Sequence, residues 1–385
     1  MEKQRVAVLD SFRCLAIMAV MLMHYTYRWT PPAYPTNLYP YGNFFGMSFH
    51  YGYLGVQFFY IISGFVISYT LENTSGIGSF FKNRFIRLWP PMLLCTVITF
   101  LVCIIWDRSH YFENAHSLRN FFPSLTFTKP SIWVALTGRD WSYTSLSYWS
   151  LWVEVQFYII SSVLFFSNKK TFFRNLILLT VVLNIIDYIP ESIINPETYP
   201  HSSHWMKMVL TKWYYNRLHF DIKDYISWFT IGVVFHHLYK QREIRWRSLT
   251  GIGVLFVFAN QLYQCEGWQV RVAYIIMLCL FFCMIYRSHY LSFIDNPFFR
   301  RVGVISYTIY LIHEIIGVLL INKLGGYLGS WSPIAPFIMA ALMICFAELS
   351  YRFYEKRVAK WLKTALFIKP KVRVSEDQIG KVVPD

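Results

Sequence analysis

Arg13 and His24 stand eleven positions apart inside the apolar stretch VLDSFRCLAIMAVMLMHYTY. On a helix, eleven steps make three turns with about 20° of drift, so the two share one face about 16 Å apart along the axis. Asp10, three residues before Arg13, joins the same stripe. An ionised side chain in a hydrophobic helix costs a few kcal/mol, so such residues normally face a protein interior or a water-filled cavity. Histidine titrates near neutrality and suits a general base for an unactivated hydroxyl. Arginine offers a fixed charge that holds an anion or a developing oxyanion. The stripe reads as a functional site, and its plainer reading is an Asp10–Arg13 ion pair plus a packed histidine.

Other chemistry-bearing residues are sparse. Arg84 and Arg87 fall about one helical turn apart in KNRFIR, where arginine forks match phosphate or simply anchor a cytoplasmic helix end. Glu154, with Tyr158 one turn later, is the only acid of its apolar run. It reads as a group orienting His24 or binding an acceptor hydroxyl, or equally as a structural partner of an arginine. Ser306, Tyr310 and His313 fall at i, i+4 and i+7 with Glu314 adjacent, so they share a face that lines a pocket or makes interhelical hydrogen bonds. His236 and His237 point about 100° apart on a helix, no HExxH pattern occurs, and no metal is expected. No GxSxG elbow supports a serine nucleophile, so direct transfer is simpler than an acyl-enzyme.

The elements that must position these groups are membrane helices. The 385 residues are 55% hydrophobic, 20% aromatic and 15% charged, which a soluble domain of this size rarely shows. Runs of about 20 apolar residues fall at 6–27, 50–71, 88–106, 145–166, 172–189, 223–240, 248–264, 270–286, 302–321 and 335–351. The expected fold class is all-α, a polytopic transmembrane bundle of about ten helices. With both termini cytoplasmic, the inner segments hold 24 of the 36 lysines and arginines, the positive-inside asymmetry. The net charge of +15 then reflects topology and anionic lipid rather than nucleic acid. EKQR before an apolar run imitates a signal peptide, but no small-residue cleavage site follows and an uncleaved first helix is expected. Cysteines show neither zinc spacing nor a disulfide framework, with Cys265 alone outside the spans. The outer segments 107–144 and 190–222 are rich in Trp, Tyr, His and Pro. They read as an interfacial aromatic belt or as a belt that also stacks on sugar rings.

Several motifs occur together: Arg and His with ten residues between them in the first span, GYLGVQFFYIISGF in the second, a cytoplasmic R-x-x-R before proline, WSLWVEVQFY, SYTIYLIHE and a late YRFYEK. In combination they resemble acyltransferase family 3, over residues 6 to about 357. The resemblance implies a multi-pass enzyme of the bacterial cytoplasmic (inner) membrane. Such an enzyme moves an acyl group, usually acetyl, from acetyl-CoA or another acyl-CoA to a hydroxyl of a surface polysaccharide, lipopolysaccharide or related extracytoplasmic glycan. By position, His24 is the implied catalytic histidine, Arg13 its partner, and Arg84 and Arg87 the donor-binding pair. Asp10 and Glu154 complete the expected catalytic set, and Ser63, Tyr158, Tyr310 and His313 the substrate pocket. Gln57 stands where many members carry an acid after Gly-Val. No segment resembles the soluble esterase-like domain fused to some members, so no second transfer site is expected.

Residues 1–357 are expected to form the transmembrane acyltransferase domain and 358–385 a cytoplasmic interfacial helix and loose tail. With donor arginines inside and aromatic loops outside, a passage should run along the first helix from Arg13 to His24, lined by Ile17 and Met21. A polysaccharide transporter or polymerase is the rival reading, and it needs neither a histidine base nor inward phosphate-binding arginines.

Overall fold

Apolar runs bounded by Gly, Pro and Asn fold as helices throughout, and no strand occurs among the described residues. The structure, a computed structural model, describes residues 6–27, 49–188, 203, 205, 206, 208, 220–244 and 246–367. Most of the aromatic segment 190–222 and the expected loose tail beyond 370 lie outside these residues. The helices are α1 (Val8–Thr26), α2 (Leu54–Glu72), α3 (Ile77–Trp106), short α4 (Phe121–Thr126) and α5 (Pro130–Thr137), and α6 (Trp149–Ser167). After them come α7 (Phe172–Asp187), α8 (Ile226–Gln241), α9 (Leu249–Gln264), α10 (Trp268–Tyr286) and α11 (Pro297–Ile312). The last three are α12 (Val318–Leu328), α13 (Ala335–Ser350) and α14 (Lys356–Phe367).

Nine of the ten expected spans each fall on one helix, while 302–321 runs from α11 through a π-helical turn into α12; among the described residues seven segments are long and apolar enough to cross a membrane. The three that fall short are α7, α8 and α9, of 16 residues each. At 1.5 Å per residue each reaches about 24 Å, less than the roughly 30 Å of a hydrocarbon core. By contrast, α3 has 30 residues, about 45 Å, so one end must emerge. Its first turns carry Lys82, Arg84 and Arg87. The helix also runs on through Pro90 and Pro91, which leave the carbonyls of Ile86 and Arg87 without a helical N–H partner.

Glycines set the closest helix pairs. A Cβ on Gly64 would sit 2.0 Å from the Phe229 carbonyl oxygen, and one on Gly232 1.9 Å from that of Ile61, so α2 and α8 touch backbone to backbone. Gly55 meets Ala16 and Gly303 meets Asp10 in the same way, at 2.4 and 1.7 Å, which fixes α1 between α2 and α11. Lipid gives helices no hydrophobic reason to associate, so this dispersion-rich contact is what holds them. Phe12, Phe58, Phe235 and Phe281 fill the adjoining core with ring centroids 4.8–6.2 Å apart. Asn296 caps α11 by accepting from the Phe299 N–H, with Pro297 at the first helical position. The last helix, α14, packs on α3, and Lys82 Nζ donates to the Leu366 carbonyl at 2.9 Å.

Candidate functional site

Two adjoining cavities open from the region of the arginines. The larger, about 510 Å³, lies among the first turns of α1 and α14, the Pro90–Pro91 stretch of α3, and α11. Asp10, Arg13, Arg87, Glu355 and Lys356 give it a mixed but basic wall. Arg13 donates to Asp10 at 2.8 Å. Glu355 is engaged by the hydroxyls of Thr308 and Ser350, each at 2.7 Å. The smaller chamber, about 90 Å³, is lined by Ser63, Arg84, Glu154, Tyr158 and Tyr310. Arg13, Val66, Arg87, Ser306 and Tyr307 line both, so the two spaces adjoin.

Within the chamber, Ser63 donates to Glu154 at 2.5 Å, which satisfies part of an otherwise expensive carboxylate. Arg84 is buried; it donates to Thr70 Oγ1 at 2.6 Å, and its guanidinium lies over Phe80 and Tyr158, 5.3 and 5.4 Å from the ring centres. Its Nε has no partner. An aromatic cradle with a donor to spare fits a planar cation that still has an anion to take.

Beyond Tyr310 the chamber gives way to a histidine pair. The Tyr310 hydroxyl donates to the Ser147 carbonyl at 2.9 Å and pairs with Ser150 Oγ at 2.8 Å, while its ring lies 5.5 Å from that of His313. His313 in turn meets His24 edge to face, ring centres 5.0 Å apart. His313 Nδ1 lies 2.7 Å from the Tyr310 carbonyl. A carbonyl only accepts, so Nδ1 carries the hydrogen and Nε2 keeps its lone pair. That Nε2 is buried without a partner, a proton acceptor in waiting.

The counter-ion of the histidine pair is Glu314. The Oε2 atom accepts from the Ser145 hydroxyl at 2.5 Å and the Ser147 N–H at 2.8 Å, and the carboxylate acts electrostatically on both histidines. A π-helical turn, His313–Gly317, produces this arrangement between α11 and α12. Side chains take up carbonyls around the turn: Tyr148 donates to Leu311 and Tyr25 to His313, both at 3.1 Å. Gly317 admits the Tyr25 ring, since a Cβ there would lie 2.2 Å from its hydroxyl.

The structure thus gathers Asp10, Arg13, Arg84, Arg87, Ser63, Glu154, Tyr158 and Tyr310 around the cavities and sets His24 with His313 beyond them. One expectation is corrected. Ile17 and Met21 are 0% and 1% exposed and line neither cavity, because α1 is packed between α2 and α11 along that length. The open space leaves α1 at Arg13 and runs among α2, α6 and α11 instead. Glu314, next to His313 in the chain, is held by Ser145 and Ser147, while Glu154 lies in the chamber on Ser63. Sequence reasoning named Glu314 only as a neighbour of His313, although the cost of an intramembrane acid was signal enough. Ser145 and Tyr25, which hold Glu314 and the π turn, carried no such signal.

A family model described as an acyltransferase domain matches residues 6–350. The O-acetyltransferase OatA of Staphylococcus aureus strain NCTC 8325 / PS 47 is 22% identical over 384 residues, covering 91% of this chain and 57% of the relative. OatA of Staphylococcus aureus strain COL matches with the same identity and coverage. The chain therefore spans little more than half the length of these curated relatives. No solved structure matches it.

Proposed function

The chain belongs to acyltransferase family 3, and on that premise we propose that it is a multi-pass membrane O-acyltransferase that moves acetyl from acetyl-CoA to a hydroxyl of an extracytoplasmic envelope glycan. The observation that carries this reading is the continuity of chemistry. A basic cavity adjoins a chamber whose wall, Tyr310, touches His313, and His313 touches His24.

In this reading Arg87 and Lys356 hold the donor's phosphates at the wide cavity, on the cytoplasmic side. Arg13, where the spaces meet, guides the pantetheine arm. It lies about 16 Å along α1 from His24, too far to stabilise an oxyanion formed there. The long, thin arm of coenzyme A suits that span. At the histidines, His24 takes the proton of the acceptor hydroxyl as its oxygen attacks the thioester carbonyl. The C–S bond breaks as the tetrahedral intermediate collapses, and the coenzyme thiolate recovers the proton. Glu314 offsets the transient imidazolium charge. The exposed Phe122 and the half-buried Trp133 and Trp141, with ring centres 4.6–6.1 Å apart, offer sugar rings a surface outside.

Membranes containing the protein, incubated with acetyl-labelled acetyl-CoA, should pass label to the glycan fraction. His24→Ala and Arg13→Ala at equal membrane abundance should not. Label-free glycan with the unaltered protein, or near-normal transfer by His24→Ala, overturns the reading. A transporter or polymerase would transfer no label.

A further inference from the structure

We propose that the C-terminal end of α3 carries a zinc-class metal site formed by Cys103, Asp107 and His116. Their ligand atoms, Sγ, a carboxylate oxygen and an imidazole nitrogen, all lie within 4.8 Å of one another. The spacing C-x3-D-x8-H matches no metal pattern legible in sequence, because the chain must turn back through a short helical turn, Glu113–His116, to bring His116 onto Asp107. Around a tetrahedral zinc, with bonds of about 2.0–2.3 Å, ligand atoms stand roughly 3.5 Å apart. The Asp107–His116 pair, at 3.1 Å, is close to that spacing, and the Cys103 Sγ lies within 4.8 Å of both.

Four features beyond proximity support an ion. Thiolate, imidazole and carboxylate together make the donor set that zinc takes, with a fourth position left for water. The carboxylate is oriented from behind, since Asp107 Oδ1 accepts from the Tyr111 N–H at 3.0 Å and Oδ2 from the Phe112 N–H at 2.9 Å. Such outer hydrogen bonds fix ligating carboxylates. Cys103 and Asp107 are 0% and 1% exposed while the His116 side chain is 16% exposed, so the set is sheltered but has an entry path. His110 stacks on His116 with ring centres 4.3 Å apart and holds the imidazole plane. Binding releases the Cys103 thiol proton and replaces the Asp107–His116 hydrogen bond with two metal bonds.

Such an ion would staple α3 to the segment that continues through Asn120 to Ser145 and Ser147. Asn120 donates to the Asn114 carbonyl at 2.8 Å and accepts from the Ser142 N–H at 2.9 Å. The staple therefore lies on the path that delivers two donors to Glu314.

The test uses the full chain, purified in detergent through a histidine-free tag, stripped with chelator and titrated with cobalt(II). Thiolate-to-cobalt charge-transfer absorption saturating near one equivalent is expected, together with loss of that band in both Cys103→Ser and His116→Gln. No such band in the unaltered protein overturns the proposal whatever the variants do. A band that persists in both variants overturns it as well, placing the metal elsewhere. Zinc should raise the melting temperature of the unaltered chain and leave that of each variant unmoved.

Discussion

Replacing Glu314 with Gln tests the histidine site most sharply, because it removes a charge and almost no volume. Two donors converge on Oε2, the Ser145 hydroxyl at 2.5 Å and the Ser147 N–H at 2.8 Å. Hydrogen bonds to a charged acceptor contribute about 1.5–3 kcal/mol, and neutral ones about 0.5–1.5. Neutralising the acceptor therefore costs roughly 2–3 kcal/mol over the two bonds, enough to lower membrane abundance but not to abolish folding. The catalytic effect is separate. For an opposite charge within the usual reach of about 4–6 Å, an effective dielectric near 20 gives an imidazolium about 3–4 kcal/mol, a factor of roughly 100 or more in rate. Glu314→Gln should lower kcat about 100-fold per folded molecule with little change in KM for the donor. Ser145→Ala, which keeps the charge and one donor, should lose tenfold or less. The assay is acetyl transfer from labelled acetyl-CoA, normalised to folded protein by detergent size-exclusion chromatography. Activity of Glu314→Gln within about threefold of the unaltered enzyme would show that the carboxylate only anchors the loop, and the charge-balance reasoning would fail.

Arg87→Ala should raise KM for acetyl-CoA far more than KM for the acceptor, with Lys rescuing only partly because it lacks the planar fork; equal donor kinetics would leave Arg87 a topology anchor. Arg84→Ala should also lower the melting temperature, since it loses the Thr70 bond and two aromatic faces. Gly232→Ala should abolish stable insertion, its Cβ falling 1.9 Å from the Ile61 carbonyl oxygen, whereas Gly78→Ala, with nothing within 4 Å, should be neutral or stabilising by up to about 1 kcal/mol; membrane abundance checks the first and a thermal melt the second. Cysteine at Val66 or Ser306 should react with a small hydrophilic thiol reagent and be protected by acetyl-CoA, while cysteine at Ile17 or Met21 should stay unlabelled; the reverse pattern would restore a passage along α1.

Helix positions, and the residue types that matter, were legible in the sequence because both depend on local cost. An apolar run of the right length folds as a helix in lipid, and an arginine, histidine or acid within one must be compensated. Which neighbour compensates it is not local. Ile17 and Met21 share a face with Arg13 and His24, yet Gly55 and Gly303 bring α2 and α11 so close that the face is sealed. The sequence pattern shows a stripe and not what covers it. The span expected at 88–106 already runs through the prolines at 90 and 91, but the apolar pattern does not show that α3 reaches back to Ile77 and carries Arg84 and Arg87 on the same rod as its apolar half. Glu314 could be named only as a neighbour of His313, because its partners, Ser145 and Ser147, arrive from about 170 residues earlier.

The π turn at His313–Gly317 holds one residue more than an α-helical turn would. The helical phase before it, which places Ser306 and Tyr310, is thereby uncoupled from the phase after it, which aims α12. Deleting any one residue of the turn would rejoin the two phases and swing one helix about 100° against the other. Gly317 would then leave the Tyr25 ring, and the His313 carbonyl its hydroxyl donor. Chain length within these five positions is therefore constrained independently of side-chain identity. A one-residue deletion here should be more damaging than most substitutions, and a compensating insertion just downstream should recover the helix packing but not the histidine contact.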